Sequence, residues 1–186
     1  DKTATISVYR FSEDTGNLVK SFTKEFKNRG INKIILDLRN NGGGYVKAAR
    51  DLLSLWLDGE KILIQKSATT GQTITYAKRG EAVLQDLKTV VLVNNATASA
   101  SEIVAGALKD YHKATIIGIK TYGKGVVQTI LELSGGSLLK VTTAHWYTPE
   151  NQTINKTGIF PDIEVDRSYA DINSGKDPQL DKAESL

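Results

Sequence analysis

The chain has 186 residues, a length that fits one domain with a sizeable hydrophobic core. Its composition, 40% hydrophobic and 24% charged with no apolar run of membrane-spanning length, excludes a disordered chain and a transmembrane protein. The net charge of +3 comes from 24 basic and 21 acidic residues mixed along the chain, which makes nucleic acid an unexpected partner. The absence of cysteine excludes disulfides, thiolate chemistry and cysteine-ligated metal.

Methionine is also absent from the sequence. A complete translation product begins with methionine, so we expect the chain to be a processed or excised part of a longer protein.

Hydrophobic periodicity predicts an alternation of strands and helices. In chain order the pattern predicts strand 3–11, helix 17–30, strand 32–39, helix 45–59, strands 61–69, 73–80 and 88–95, helix 99–112, and strands 113–119, 126–133 and 137–148. This order is typical of an α/β domain with a largely parallel sheet and added antiparallel hairpins. We expect residues 1–165 to form the core and residues 166–186 a polar tail with a short helix at "DPQLDKAESL".

Three loops follow predicted strands, where open α/β sheets tend to carry their sites. "NNGGG" at 40–44 precedes a helix, and its glycines allow backbone N–H groups to approach an anion or oxyanion. "NNATASASE" at 94–102 has hydroxyls at Thr97, Ser99 and Ser101 just before a helix. Any of the three could be a nucleophile or only a helix cap, and Ser99 with Glu102 matches a capping box.

A serine nucleophile needs a base, and the chain offers few. His112 lies a helix length from Ser99, and His145 lies in a predicted strand, so neither favours a Ser-His-Asp triad. Lysine can serve when burial makes its neutral form accessible. Lys124 lies between two glycines in "TYGKGVVQ", and Gln128, four residues later, faces the same side of an extended strand.

These motifs together resemble the C-terminal processing proteases, also called tail-specific proteases, which are serine peptidases with a Ser/Lys dyad. The resemblance is carried in order by "ILDLRNNGGG", "VLVNNATASASEIVAGALKDY", "TYGKGVVQ" and "YTPENQTINKTGIFPDIEV". It implies a crotonase/ClpP-like α/β fold, a mixed sheet with flanking helices and β-hairpins. It also implies an endopeptidase that cleaves protein or peptide substrates near their C-termini, works outside the cytoplasm (periplasm, cell envelope or secreted) and needs no cofactor or metal.

The same resemblance implies the residue roles. It assigns the nucleophile to Ser99, the general base to Lys124 and support of the lysine to Gln128. The oxyanion hole would use the backbone N–H groups of Ala100 and of a glycine in the "NNGGG" loop, with Gly44 preferred to Gly43. Asp110 matches an acidic position linked to activity.

Some features depart from the family pattern. Ala96 stands where a glycine is usual, and His145 where an arginine is usual. The PDZ domain and helical region that usually precede the family's core have no counterpart in these residues. Two other functions therefore stay open: a non-catalytic binding module on the same core, and a crotonase-like CoA-thioester enzyme, which would need no Lys124.

Overall fold

The computed structural model describes residues 2–186 and confirms the predicted α/β class. The strands are β1 Thr3–Ser7, β2 Lys33–Asp37, β3 Lys61–Ser67, β4 Gly71–Tyr76, β5 Lys88–Val93, β6 Thr115–Gly118, β7 Val126–Glu132, β8 Leu138–Tyr147 and β9 Ile163–Glu164. The helices are α1 Thr15–Asn28, α2 Val46–Leu53, α3 Ala100–Asp110, α4 Tyr169–Asn173 and α5 Pro178–Ser185.

A five-stranded parallel sheet forms the centre, with the order β1-β2-β5-β6-β9. Its middle strands, "KIILD" and "KTVVLV", are nearly continuous apolar runs, as parallel strands covered on both faces require. The register aligns Leu36 with Val91 and Asp37 with Leu92, so β2 and β5 end at the same edge. The "NNGGG" and "NNATASASE" loops therefore leave the sheet side by side.

The sheet has a different cover on each face. Helices α1, α2 and α3 bury the larger core on one face, with Leu52, Val104 and Leu108 fully enclosed. Helix α5 covers part of the other face, where Ala183 packs with Ile35 and its neighbours. Residues 166–186 thus contribute apolar contacts as well as polar surface. None of the helices within residues 2–186 is long and apolar enough to span a membrane.

A second, antiparallel sheet has the order β4-β3-β8-β7. The predicted hairpins form its outer parts, β3 with β4 and β7 with β8. The β7–β8 hairpin is largely exposed, and its register shifts between Val127 and Gln128, the irregularity expected of a β-bulge. This sheet meets the first near α3, which contacts β3.

Several elements differ from the sequence prediction. Strand β1 ends at Ser7 instead of Phe11, and strand β4 ends at Tyr76 instead of Gly80. Helix α2 ends at Leu53 instead of continuing to Gly59, because the chain turns while Leu55, Trp56 and Leu57 stay buried. An apolar run that is buried on all sides has no periodicity that separates a helix from a buried turn. The two-residue strand β9 and the short helix α4 were not predicted, because segments this short carry no measurable period.

Candidate active site

The three hydroxyls of the "NNATASASE" loop have different surroundings. Thr97 Oγ1 donates to the Leu38 carbonyl at 2.9 Å and accepts from the Asn94 N–H at 3.0 Å. Ser101 Oγ donates to the Asn41 carbonyl at 3.0 Å. Thr97 and Ser101 are both fully buried, whereas Ser99 is half-buried. Only Ser99 is therefore free to meet a ligand, and the other two hydroxyls hold the loop to the end of β2.

The backbone at Ser99 has an unusual conformation. Its φ is 57° and its ψ is −119°, a region that residues with a side chain rarely adopt. Ser99 stands between β5 and α3, so the chain turns sharply at this residue. Strained backbone of this kind persists only where neighbouring contacts hold it, and it is enriched at active sites.

Ser99, Lys124 and Gln128 line one cavity of about 290 Å³. The other lining residues are mostly apolar side chains of α3 and of the antiparallel sheet: Val46, Leu63, Gln65, Ile103, Val126, Val127, Ile130, Lys140 and Trp146. The fold thus brings Ser99 together with Lys124 and Gln128, which lie at least 25 residues later in the sequence. Their surroundings would suit an extended peptide with apolar side chains.

Lys124 differs in one respect from the expectation. Its side chain is exposed in the free chain, not buried. The loop that carries it is nevertheless tightly held: a Cβ at Gly123 would meet the Gly158 N at 3.0 Å, and a Cβ at Gly125 would meet the Asn155 N at 2.5 Å. The backbone of Lys124 is therefore fixed, while its amine remains open to water in the absence of substrate.

A buried carboxylate connects the nucleophile loop to the lysine loop. Glu102 is fully buried, and its oxygens accept four hydrogen bonds. The donors are the Ser99 N–H at 3.0 Å, the Lys124 N–H at 2.9 Å, the Gly123 N–H at 2.7 Å and the Thr121 hydroxyl at 2.5 Å. The capping box predicted the bond to Ser99 but not the other three, because the lysine loop is distant in sequence.

The glycine loop packs directly against Ser99. Gly43 has φ 101°, and a Cβ there would lie 2.7 Å from the Ser99 Cβ and 2.9 Å from the Ala100 N. The Gly43 N–H donates to Asn41 Oδ1 at 2.9 Å. Within residues 2–186, the N–H groups of Gly44 and Ala100 have no hydrogen-bond partner. Ala100 directly follows Ser99 in the chain, and Gly44 directly follows the glycine that packs against Ser99.

Asn41 stabilises the glycine loop through hydrogen bonds. The sequence motifs did not identify this residue. It is fully buried, and its Nδ2 donates to the Val8 carbonyl at 2.6 Å. Its own carbonyl accepts from the Ala98 N–H at 3.0 Å as well as from Ser101. Asn41 thereby joins the glycine loop to the nucleophile loop. The sequence could have indicated Asn41 by one feature: it lies in the loop that directly follows a buried strand.

Asp110 lies at the far end of α3, outside the cavity that Ser99 lines. Its Oδ2 accepts from the Glu150 N–H at 2.8 Å, which holds the loop that follows β8. His112 and His145 are exposed and do not line that cavity either. No cluster of three or more His, Cys, Asp or Glu side chains in the described part of the chain could hold a metal ion.

An ion-pair network lies behind the glycine loop. Arg39 binds Asp37 at 2.7 Å and Asp177 at 2.8 Å, which ties the end of β2 to the start of α5. Burial alone would raise the pKa of Asp177, but the hydrogen bonds and charge of Arg39 outweigh it and hold that pKa below the ordinary 3.8. The Arg39 guanidinium, adjacent to two carboxylates, has its own pKa raised despite burial.

Comparison with known proteins identifies the family of the chain. Residues 2–165 match the model of peptidase family S41. The "Carboxyl-terminal-processing protease" of Synechocystis is 41% identical over 184 residues, covering 97% of this chain and 43% of that protein. The "Probable CtpA-like serine protease" of Staphylococcus epidermidis is 39% identical over 168 residues, covering 86% and 33%.

A solved structure gives the same result at the level of the fold. The photosystem II D1 C-terminal processing protease superimposes with a TM-score of 0.81 at 35% identity, covering 88% of this chain and 42% of that one. The chain thus spans less than half the length of these relatives. A family match over most of the chain, together with these identities, leads to one conclusion: the chain belongs to peptidase family S41.

Proposed function

We propose that the chain is the catalytic core of a serine endopeptidase that cleaves protein substrates near their C-termini. The main support is that Ser99, alone among three neighbouring hydroxyls, opens into a cavity that Lys124 and Gln128 also line. The relatives named as carboxyl-terminal-processing proteases support the same reaction and substrate class. We also propose, from the family resemblance, that the protein works outside the cytoplasm.

The reaction begins with proton transfer between the two residues of the dyad. The neutral amine of Lys124 takes the proton of Ser99 Oγ, which attacks the scissile carbonyl carbon. The Ala100 and Gly44 N–H groups donate to the resulting oxyanion. This role is supported by the absence of a hydrogen-bond partner for either group within residues 2–186. The Lys124 ammonium then protonates the leaving amine. Water attacks the acyl-enzyme as Lys124 again accepts a proton, and Ser99 is restored.

Substrate supplies the burial that Lys124 lacks in the free chain. A peptide lying over the cavity covers the exposed Lys124 side chain. Gln128 lines the same wall and can hydrogen-bond the amine or the substrate.

Incubation with an unfolded protein that has an apolar C-terminus tests the proposal, with product masses as the readout. Wild type is expected to release C-terminal fragments, and Ser99→Ala and Lys124→Arg to release none, because guanidinium does not act as a base near neutral pH. Ser21→Ala and Lys24→Arg, on the exposed side of α1, are the matched controls. Cleavage by Ser99→Ala would overturn the proposed nucleophile. Absence of cleavage by wild type would favour a binding module.

A further inference from the structure

The cavity next to Ser99 contains two amines and no carboxylate. Of its lining residues, Lys124 and Lys140 carry the only charges, and the rest are apolar or amide side chains. The proposed mechanism uses Lys124 as a base and gives Lys140 no task. A cavity with apolar walls and an unmatched positive charge is complementary to a ligand that carries a negative group.

The β7–β8 hairpin sets the position of Lys140. Lys140 on β8 is directly opposite Ile130 on β7, and residues paired in this way point to the same face of a sheet. Ile130 is two residues beyond Gln128, and both line the cavity. Two residues of strand span roughly 7 Å. Lys140 therefore lies about two strand residues beyond Gln128 along the same cavity wall.

Within residues 2–186, the Lys140 amine has no hydrogen bond and no ion pair. Glu132 lies on the same face of the hairpin, diagonally across from Lys140, but forms no ion pair with it. By comparison, Lys66 on β3 donates to Asn151 Oδ1 at 2.6 Å, and Lys109 on α3 pairs with Asp162 at 2.9 Å. Lys140 is thus free to bind a substrate group.

We propose that Lys140 is a specificity-determining residue that binds a carboxylate of the peptide substrate. An extended peptide advances roughly 3.3 Å per residue, so this carboxylate lies about two residues along the peptide from the part that is next to Gln128. It is either the free C-terminal carboxylate or an Asp or Glu side chain at that distance. The inference rests on the proposed function, since it presumes that peptides occupy this cavity.

Binding to the Ser99→Ala chain tests the inference without any need for turnover. Fluorescent peptides with an apolar body are compared by anisotropy in three forms: a free C-terminal acid, its amide, and an amide with Glu two or three residues from the end. We expect the acid, the internal Glu peptide or both to bind roughly three- to tenfold more tightly than the plain amide, with the difference shrinking as salt rises. The acid and internal Glu forms distinguish the two sources of carboxylate.

Variants at position 140 decide whether the amine is responsible. In the Ser99→Ala background, Lys140→Gln should abolish the preference for carboxylate, and Lys140→Glu should reverse it toward a peptide with Lys at the same place. A purely structural role would not produce this reversal. Lys24→Gln, which removes one exposed charge far from the cavity, should leave the preference unchanged. Equal binding of acid, internal Glu and amide forms, or no binding of any peptide, would overturn the inference.

Active wild type separates this inference from the proposed function. If Lys140 binds carboxylate, the KM for the preferred peptide rises in Lys140→Gln while kcat changes little. Ser99-dependent cleavage with no difference between acid, internal Glu and amide peptides would overturn the role of Lys140 and leave the peptidase proposal standing. Carboxylate-selective binding without cleavage would do the opposite.

Discussion

One oxygen of Glu102, Oε2, accepts hydrogen bonds from the N–H of Ser99 at 3.0 Å and from the N–H of Lys124 at 2.9 Å. The backbones of the proposed nucleophile and base are thus held to the same atom, inside the protein and away from water. A carboxylate that accepts several charge-assisted bonds in a buried site fixes its donors more firmly than neutral bonds would. Glu102 is therefore a positioning residue for the dyad.

Glu102→Gln is expected to damage both stability and turnover. An amide has one acceptor oxygen, so some of the four donors would face an NH2 group and lose their partner. We expect a loss of about 1–3 kcal/mol in unfolding free energy. We also expect a fall in kcat on the order of 10²-fold, because small displacements of reacting groups are costly. Urea unfolding and steady-state kinetics measure the two effects.

Glu25→Gln is the matched control for this substitution, because it removes an exposed partner of Arg29 on α1. Its effect on unfolding should stay within about 0.5 kcal/mol, with kcat unchanged. Full wild-type kcat in Glu102→Gln would show that the shared carboxylate does not position the dyad.

Thr97→Val tests whether the Thr97 hydroxyl stabilises the fold without taking part in the chemistry. Valine keeps the shape of the side chain but leaves the buried Leu38 carbonyl and Asn94 N–H without their partner. We expect a loss of about 1–3 kcal/mol in unfolding free energy. Peptidase activity should persist at temperatures where the variant is folded. Loss of activity in a fully folded Thr97→Val would instead implicate Thr97 in the chemistry.

Two adjacent glycines, Gly42 and Gly43, allow a paired test of the "NNGGG" loop next to Ser99. Gly43→Ala would place a methyl group against the Ser99 Cβ at a φ of 101°, so we expect activity to fall by more than 10²-fold. Gly42→Ala should be nearly silent, since a Cβ there meets nothing within 4 Å and no left-handed conformation is required. Kinetics and circular dichroism of both variants check this. Equal activity in the two variants would contradict the close packing described.

The Asp177–Arg39 pair should make the fold sensitive to acid. The pKa of Asp177 is lower in the folded chain than its ordinary 3.8, so the pair contributes stability above that pH and loses it as the pH falls below 3.8. Asp51, whose pKa is lowered by Lys47, Lys78 and Arg50 despite burial, acts in the same direction. Asp177→Asn should reduce unfolding free energy near pH 7 and flatten its decline as the pH falls below 3.8.

Urea titrations at several pH values measure this dependence. Asp14→Asn, at an exposed carboxylate before α1, is a suitable control. An unchanged pH profile in Asp177→Asn would mean that the network contributes nothing to acid stability.

The sequence was sufficient for the main elements, whereas the members of the proposed dyad came from the family resemblance. Continuous apolar runs identified β2 and β5, and the helical periodicity after Ser99 identified α3. The sequence did not predict the end of α2 correctly, because the segment 54–57 is buried and has no polar face to mark where the helix stops. Nor could it distinguish a solvated Lys124 from a buried one, since exposure depends on loops elsewhere in the chain.

The choice among Thr97, Ser99 and Ser101 shows most directly how sequence and tertiary structure differ in what they reveal. Local propensity makes each of them a plausible helix cap, and only family resemblance selected Ser99 before the fold was known. Tertiary structure gives the physical reason, because the carbonyls of Leu38 and Asn41 bind the other two hydroxyls. The sequence by itself determined the main helices and strands, through hydrophobic periodicity, and it proposed the site residues through the family resemblance that its motifs carry. Only the tertiary structure decided which hydroxyls are hydrogen-bonded, because their partners lie far away in the sequence. It also decided that Glu102 binds the backbones of both Ser99 and Lys124.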